Sequence, residues 1–414
     1  MEKFILDNGL TVLVEEMPSL RSVSIGAWVK AGSMLETPGE NGLSHFMEHM
    51  AFKGTRKRTA RQIAEEMDCI GGQLNAATSK LCTNYYAKVI DEDLPLAADI
   101  LSDIVCDPAL DEKELDKERG VVLEEIAMVE DTPEEVVFDV LAEAVFGKQS
   151  LGQSILGPAD RIAAYTAEDL RAFRRRHYGP KNAVVALAGN VTAGRARELM
   201  EQYFGAWQGA EGEEYPDAQA IPEPRKLARD KDTEQVHLCL SFRSHEMGSE
   251  LVYPTAVLNN ILGGGMSSRL FQRIREELGM AYSVYSGPSS YPHCGEFTIY
   301  AATSPRHCKT VLEQIDLEIG KLMDGGITQK EFQMSKAQLK GSFILGLESA
   351  YNRMSALGHN QILLNRVIPQ EETIAAIERV TMEDAMDAAK RILTGPRAYA
   401  VVGRKAEKYL SAIG

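Results

Sequence analysis

Two histidines four residues apart, with a glutamate between them, are the part of this chain best equipped for chemistry: His45-Phe46-Met47-Glu48-His49. On a helix, residues four apart lie one above the other on the same face, so His45 and His49 can grip one metal ion together. Glu48 sits one turn after His45, within reach of a water on that metal, where a carboxylate acts as a base. The order is that of the metallohydrolase motif H-E-x-x-H written backwards, H-x-x-E-H. A helix face does not care which direction supplies the base, so metal-assisted hydrolysis is the chemistry implied. His177, His237, His245, His293, His307 and His359 show no ligand spacing and are read as ordinary residues.

Two imidazoles do not complete a catalytic metal site, which takes three protein ligands and leaves one position for water. Residues 112–135 read as a helical stretch with a strong acidic bias. Within it Glu118 and Glu125 are seven apart, two turns, and share a face. Spacing alone does not choose between them, or between either and Glu124.

Such a site needs a scaffold. At 414 residues the chain exceeds one ordinary core, and 44% hydrophobic with 25% charged residues is the balance of a globular protein. The start of the chain has no basic stretch followed by an apolar core, and no apolar run approaches the roughly 18 residues that span a bilayer. Six scattered cysteines without a C-x-x-C pair read as thiols in a reducing compartment. A cytoplasmic location is expected. The formal net charge is −15, with basic clusters only at residues 53–61 and 171–177. Nucleic-acid binding is not expected, whereas an acidic surface suits basic peptides.

The chain also repeats itself. Ala76-Ala77-Thr78-Ser79 recurs as Ala301-Ala302-Thr303-Ser304, each read as ending a strand and leading into a long helix. Leu110-Asp111-Glu112-Lys113-Glu114-Leu115 resembles Ile327-Thr328-Gln329-Lys330-Glu331-Phe332, again opening a helix, and this alignment sets Ser335 opposite Glu118 and Ser342 opposite Glu125. The second half has no counterpart of His45-x-x-Glu48-His49; the glycine-rich Leu262-Gly263-Gly264-Gly265-Met266 is read as the matching region. Two similar α+β domains are predicted, 1–210 and 225–414, joined by a Gly-, Glu- and Pro-rich linker at 211–224. Only the first can hold a metal.

The segment Gly42-Leu43-Ser44-His45-Phe46-Met47-Glu48-His49-Met50-Ala51-Phe52-Lys53-Gly54-Thr55 resembles the signature of the pitrilysin/insulysin family of zinc peptidases, over nearly the full length of the chain. The likeness is greatest to bacterial relatives of the mitochondrial processing peptidase β subunit. It implies two domains, each a mostly antiparallel sheet packed with helices, forming half of a clamshell. It implies one Zn2+ per chain held by His45, His49 and Glu125, which has 75 residues between it and His49. Glu48 would be the catalytic base and Glu118 an acidic support behind the ligands. Leu74-Asn75-Ala76-Ala77-Thr78-Ser79 resembles the family's edge strand, where an extended peptide pairs with Asn75 and Ala76. Arg275 and Tyr282 match a pair that binds substrate and stabilises the carbonyl oxygen under attack. Gly263-Gly264-Gly265 resembles a shortened form of the glycine-rich loop of the non-catalytic partner subunit.

The resemblance further implies an endopeptidase acting on peptides or unfolded segments in an enclosed chamber. A chain of two domains would pair with a second copy, Arg275 and Tyr282 of one completing the zinc site of the other. The alternative within the family is a non-catalytic or weakly active partner subunit, which typically loses the H-x-x-E-H residues. One departure stands out: Leu81 occupies a position, three after Thr78, where the family usually carries an acidic residue. The metal ligands are untouched, and the expected effect falls on the strand's neighbourhood and on activity.

Overall fold

Short apolar runs of the first half become six strands of one sheet: β1 (Glu2–Ile5), β2 (Thr11–Glu16), β3 (Ser22–Val29), β4 (Gln73–Thr78), β5 (Thr83–Ile90) and β6 (Ala183–Gly189). The computed structural model from which they are taken describes residues 1–221 and 223–411. The strand order is β1-β2-β6-β3-β5-β4, with β2 and β6 parallel and the other neighbours antiparallel. β6 is buried along its whole length, the mark of a strand covered on both faces. On one face α1 (Leu43–Ala51), α2 (Ala60–Cys69), α3 (Leu94–Cys106) and α4 (Glu112–Glu130) contribute to the main apolar core. The other face is covered by the helix Ala350–Leu364, whose Met354 and Leu357 pack with Leu13, Trp28, Val184 and Ala186. Gly358 makes that contact possible, since a Cβ there would lie 2.2 Å from the Trp28 ring.

The second sheet is built from β7 (Lys226–Asp230), β8 (Val236–Ser244), β9 (Ala281–Ser290), β10 (Gly295–Thr303) and β11 (Arg397–Gly403), in the order β7-β11-β8-β10-β9. β7 and β11 are parallel and the rest antiparallel. This is the order of the first sheet without β1. The helix α5 (Pro133–Phe146) packs against β8 and β11, as Ala350–Leu364 packs against β3 and β6. Both helices begin 217 residues apart (350 − 133), the offset that also relates Leu110 to Ile327 (327 − 110).

The α+β architecture with two similar halves is therefore as expected, but the compact units differ from a division at 210/225. The first unit takes residues 1–126, 154–216 and 344–368, and the second takes 127–153, 217–343 and everything from 369 onward. Each half of the chain contributes one helix to the other's unit, because each sheet has an apolar back face that must be covered. Residues 207–221 carry no helix or strand.

Two details of the repeat need correction. Ala76-Ala77-Thr78 ends the edge strand β4 and leads through a turn into β5, not into a helix, whereas Ala301-Ala302-Thr303 ends β10. By strand order β10 is the counterpart of β5, so the tetrapeptide likeness falls on non-equivalent strands. Likewise the helix after β8 is Val252–Leu262, which takes the place of α1; the glycine run follows it as a loop. The acidic stretch 112–135 is also two helices, since Pro133 opens a new one after Thr132.

Candidate metal centre

α1 starts at Gly42, whose φ of 96° is a left-handed value that favours glycine. A Cβ there would also meet the Leu156 carbonyl oxygen at 2.7 Å. No side chain of Gly42 can cap the helix. The buried Glu36 does so instead, accepting from the backbone N–H groups of Gly42 (2.9 Å) and Ser44 (2.6 Å) and from the Asn41 amide (3.2 Å). An anion at this end satisfies orphan donors and complements the helix dipole. Burial nevertheless pushes the Glu36 carboxyl above its ordinary pKa.

Helical pitch places the imidazoles of His45 and His49 side by side, with Nε2 atoms 3.2 Å apart. Glu125, two turns along α4 from Glu118, brings Oε2 to 3.2 Å from His49 Nε2 and 3.6 Å from His45 Nε2. Ligand atoms bonded at about 2.0–2.1 Å to a tetrahedral cation stand roughly 3.3 Å apart. The triangle therefore has the size and the donor set of a small divalent cation's site. These three residues are the one His/Cys/Asp/Glu group of this kind among the described residues.

Glu118 is not a corner of that triangle. Its Oε1 receives His49 Nδ1 at 2.8 Å, and its Oε2 is 2.7 Å from Lys53 Nζ. A carboxylate on Nδ1 fixes the tautomer that turns the Nε2 lone pair inward. Burial, the largest influence on His49, opposes its charge, but the bond and charge of Glu118, with Glu125 and Glu48, raise its pKa overall. Burial works against Glu118 as well, and His49 and Lys53 overcome it to hold the carboxyl below its usual range. His45 is pushed down to about 4, first by burial and then by His49. Its imidazole is thus neutral and able to coordinate at any pH near neutrality.

Glu48 lies close enough for its charge to be felt by His49, and that of Glu125 by it. Burial raises its pKa despite a 2.5 Å hydrogen bond donated by the Thr78 hydroxyl to Oε2. Thr78 ends β4, the outermost strand of its sheet, in which Leu74, Ala76 and Thr78 alternate with the exposed Gln73, Asn75 and Ala77. The Ala76 N–H is accepted by the Asn75 side chain at 2.8 Å.

The sequence resembles the model of the Insulinase family (Peptidase family M16) over residues 11–159 and that of the Peptidase M16 inactive domain over 164–339. A Bacillus subtilis protein named uncharacterized zinc protease YmxG is 43% identical, over 97% of this chain and 98% of its own length. This chain belongs to the M16 peptidase family. An uncharacterized zinc protease of Rickettsia felis is 37% identical over 96% of both chains. The fold is also that of a protease from Helicobacter pylori, with a TM-score of 0.90 at 22% identity and coverage of 97% and 99%. A Pseudomonas fluorescens structure described as a peptidase M16 inactive domain matches with a TM-score of 0.91 at 20% identity, covering 97% of both chains.

In this M16 chain, His45, Glu48, His49, Glu118 and Glu125 come together in the first unit beside β4. Arg275 and Tyr282 lie in the second, where the guanidinium stands 4.9 Å over the Tyr282 ring and 4.8 Å over that of Phe271. Tyr282 is 73% exposed. Leu81 is buried in the turn between β4 and β5, and its carbonyl accepts the Tyr215 hydroxyl at 2.7 Å. Three residues of the site escaped sequence reasoning: Glu36, Lys53 and Thr78. Lys53 follows His49 by four residues, and Thr78 shares a strand face with Ala76, so periodicity held a signal for both. Nothing local marked Glu36.

Proposed function

We propose that the chain is a zinc-dependent endopeptidase (H-x-x-E-H) that cleaves peptides or unfolded segments. The observation that carries this reading is the His45–His49–Glu125 triangle with Glu48 beside it. Its donor set and spacing suit Zn2+, one per chain, and the relatives' names speak of zinc. When bound, zinc supplies Lewis acidity and lowers the pKa of a water.

The chain's own residues do the rest. His45 and His49 offer Nε2 and Glu125 offers Oε2, while Glu118 holds His49 in the ligating tautomer and Lys53 balances the Glu118 charge. Glu48, with its raised pKa, takes the proton of the attacking water on the oxygen that Thr78 does not hold. It then delivers that proton to the leaving amine. An extended peptide adds to the free edge of β4, with the Ala76 N–H passing from the Asn75 side chain to a substrate carbonyl. The net charge of −15 favours basic peptides.

Arg275 and Tyr282 complete the site by stabilising the carbonyl oxygen under attack, supplied in trans by the second copy of a homodimer. Mixing Glu48→Gln chains with Tyr282→Ala chains tests this: exchanged heterodimers recover activity if the site is shared, and verified exchange without recovery contradicts sharing. The alternative, a non-catalytic partner subunit, is separated by one experiment. Zinc content is measured alongside digestion of an unstructured basic peptide, with the products read by mass spectrometry. The enzyme reading requires bound zinc and internal cleavage that a chelator stops; bound zinc without cleavage supports the partner subunit.

A further inference from the structure

The two basic clusters of the sequence contribute only Lys53 to the metal centre, and the fold brings them to one place. Arg56 from the first, with Arg171, Arg174 and Arg175 from the second, lines a cavity of about 330 Å³ whose floor is residues 107–110. Two carboxylates answer the four guanidinium groups. Arg56 Nε stands 3.2 Å from Asp107, and Glu168 lies 2.7 Å from Arg175 and 3.8 Å from Arg171. The cavity is net positive on a chain whose net charge is −15. Arg171 and Arg174 donate to the carbonyl oxygens of Leu110 (2.8 Å) and Cys106, which fixes their planes. The Arg174 Nε is buried with no hydrogen-bond partner among the described residues.

A guanidinium carries five N–H donors in a planar fork that pairs bidentately with oxyanions. The side chains of Arg56, Arg171 and Arg175 are 81%, 44% and 60% exposed, so an anion can reach their forks directly from solvent. We propose that this cavity binds a compact multivalent phosphate, either free or as the phosphate tail of a nucleotide. Its position gives the binding a consequence. The Thr55–Pro108 bridge and the Ala109 N–H to Gly54 carbonyl bond (2.9 Å) join the turn after α1 to the turn before α4. α1 carries His45, Glu48 and His49, and α4 carries Glu118 and Glu125. A bound phosphate would therefore cross-link the bases of both helices.

The test is isothermal titration of the full chain with pyrophosphate, inorganic triphosphate and ATP, against two double variants. Arg56→Ala/Arg175→Ala removes two cavity guanidinium groups that brace no backbone. Arg61→Ala/Arg195→Ala removes the same charge elsewhere on the unit. All three proteins keep the metal ligands, so any heat of chelation is common to them. The expected result is saturable one-site binding that weakens by roughly tenfold or more in the cavity variant, with the control unchanged. Equal affinities for triphosphate and ATP identify the phosphate alone as the ligand; tighter ATP binding identifies a nucleotide. Absence of one-site binding by all three ligands, or equal weakening in both variants, overturns the proposal.

Discussion

The Thr78 hydroxyl donates to Glu48 Oε2 at 2.5 Å, so the edge strand of the first sheet holds the Glu48 carboxylate. Thr78 is anchored in turn, with its Oγ1 3.3 Å from Thr83 Oγ1, which itself donates to the Ala31 carbonyl at 2.7 Å. Replacing Thr78 by Val frees the Glu48 carboxylate to turn. Since general-base catalysis contributes roughly 10²–10⁴-fold, misorientation should lower kcat by about tenfold with little change in KM. Thr78→Ser keeps the hydroxyl and should restore most of kcat; steady-state kinetics of both variants check this.

Glu118 touches His49 and Lys53 and leaves the ion itself to others. Removing such a support typically costs about 10–100-fold in metal affinity. Glu118→Gln should weaken zinc binding by that order, measured by competition with a chromophoric chelator. Lys53→Met should weaken it less, because Glu118 survives but loses its counter-charge.

Zinc binding should depend on pH in a defined sense. His49 has a raised pKa, so as pH falls through that value a proton occupies the nitrogen that zinc needs, and affinity drops by about tenfold per pH unit. His45, pushed down to about 4, adds no competition until pH approaches that value, where the dependence should steepen. Calorimetry across this range, with proton release read from buffers of different ionisation heat, tests both parts.

Glu36 supports α1 from its N-terminus. Glu36→Ala leaves the Gly42 and Ser44 N–H groups buried without an acceptor, at a cost of about 1–3 kcal/mol. Thermal unfolding should show Tm lowered by several degrees, with zinc partly restoring it by binding the folded form.

Much of this was legible in the sequence because it rests on local periodicity. The pairing of His45 with His49, the place of Glu48 one turn after His45 and the shared face of Glu118 and Glu125 follow from a pitch of 3.6 residues, whereas the choice of Glu125 as a ligand came only with the family resemblance; the 217-residue offset paired α4 with Gln329–Gly346. What escaped was long-range. No local pattern tells which sheet α5 or Ala350–Leu364 will cover, because a helix's apolar stripe does not name its partner. The Ala-Ala-Thr-Ser likeness misled because alternating small residues suit any strand end. Glu36 was invisible for a related reason: a carboxylate six residues before a glycine becomes a cap only once the chain turns back on itself.

In the proposed mechanism Glu48 is the proton-transferring base beside a zinc held by His45, His49 and Glu125. Glu48→Gln changes one oxygen to nitrogen and leaves all three ligands in place. The most direct measurement is the cleavage rate of an unstructured peptide by Glu48→Gln protein of known zinc content. One zinc per chain and no turnover above the uncatalysed background are expected. Substantial peptidase activity in zinc-loaded Glu48→Gln protein would contradict that role for Glu48.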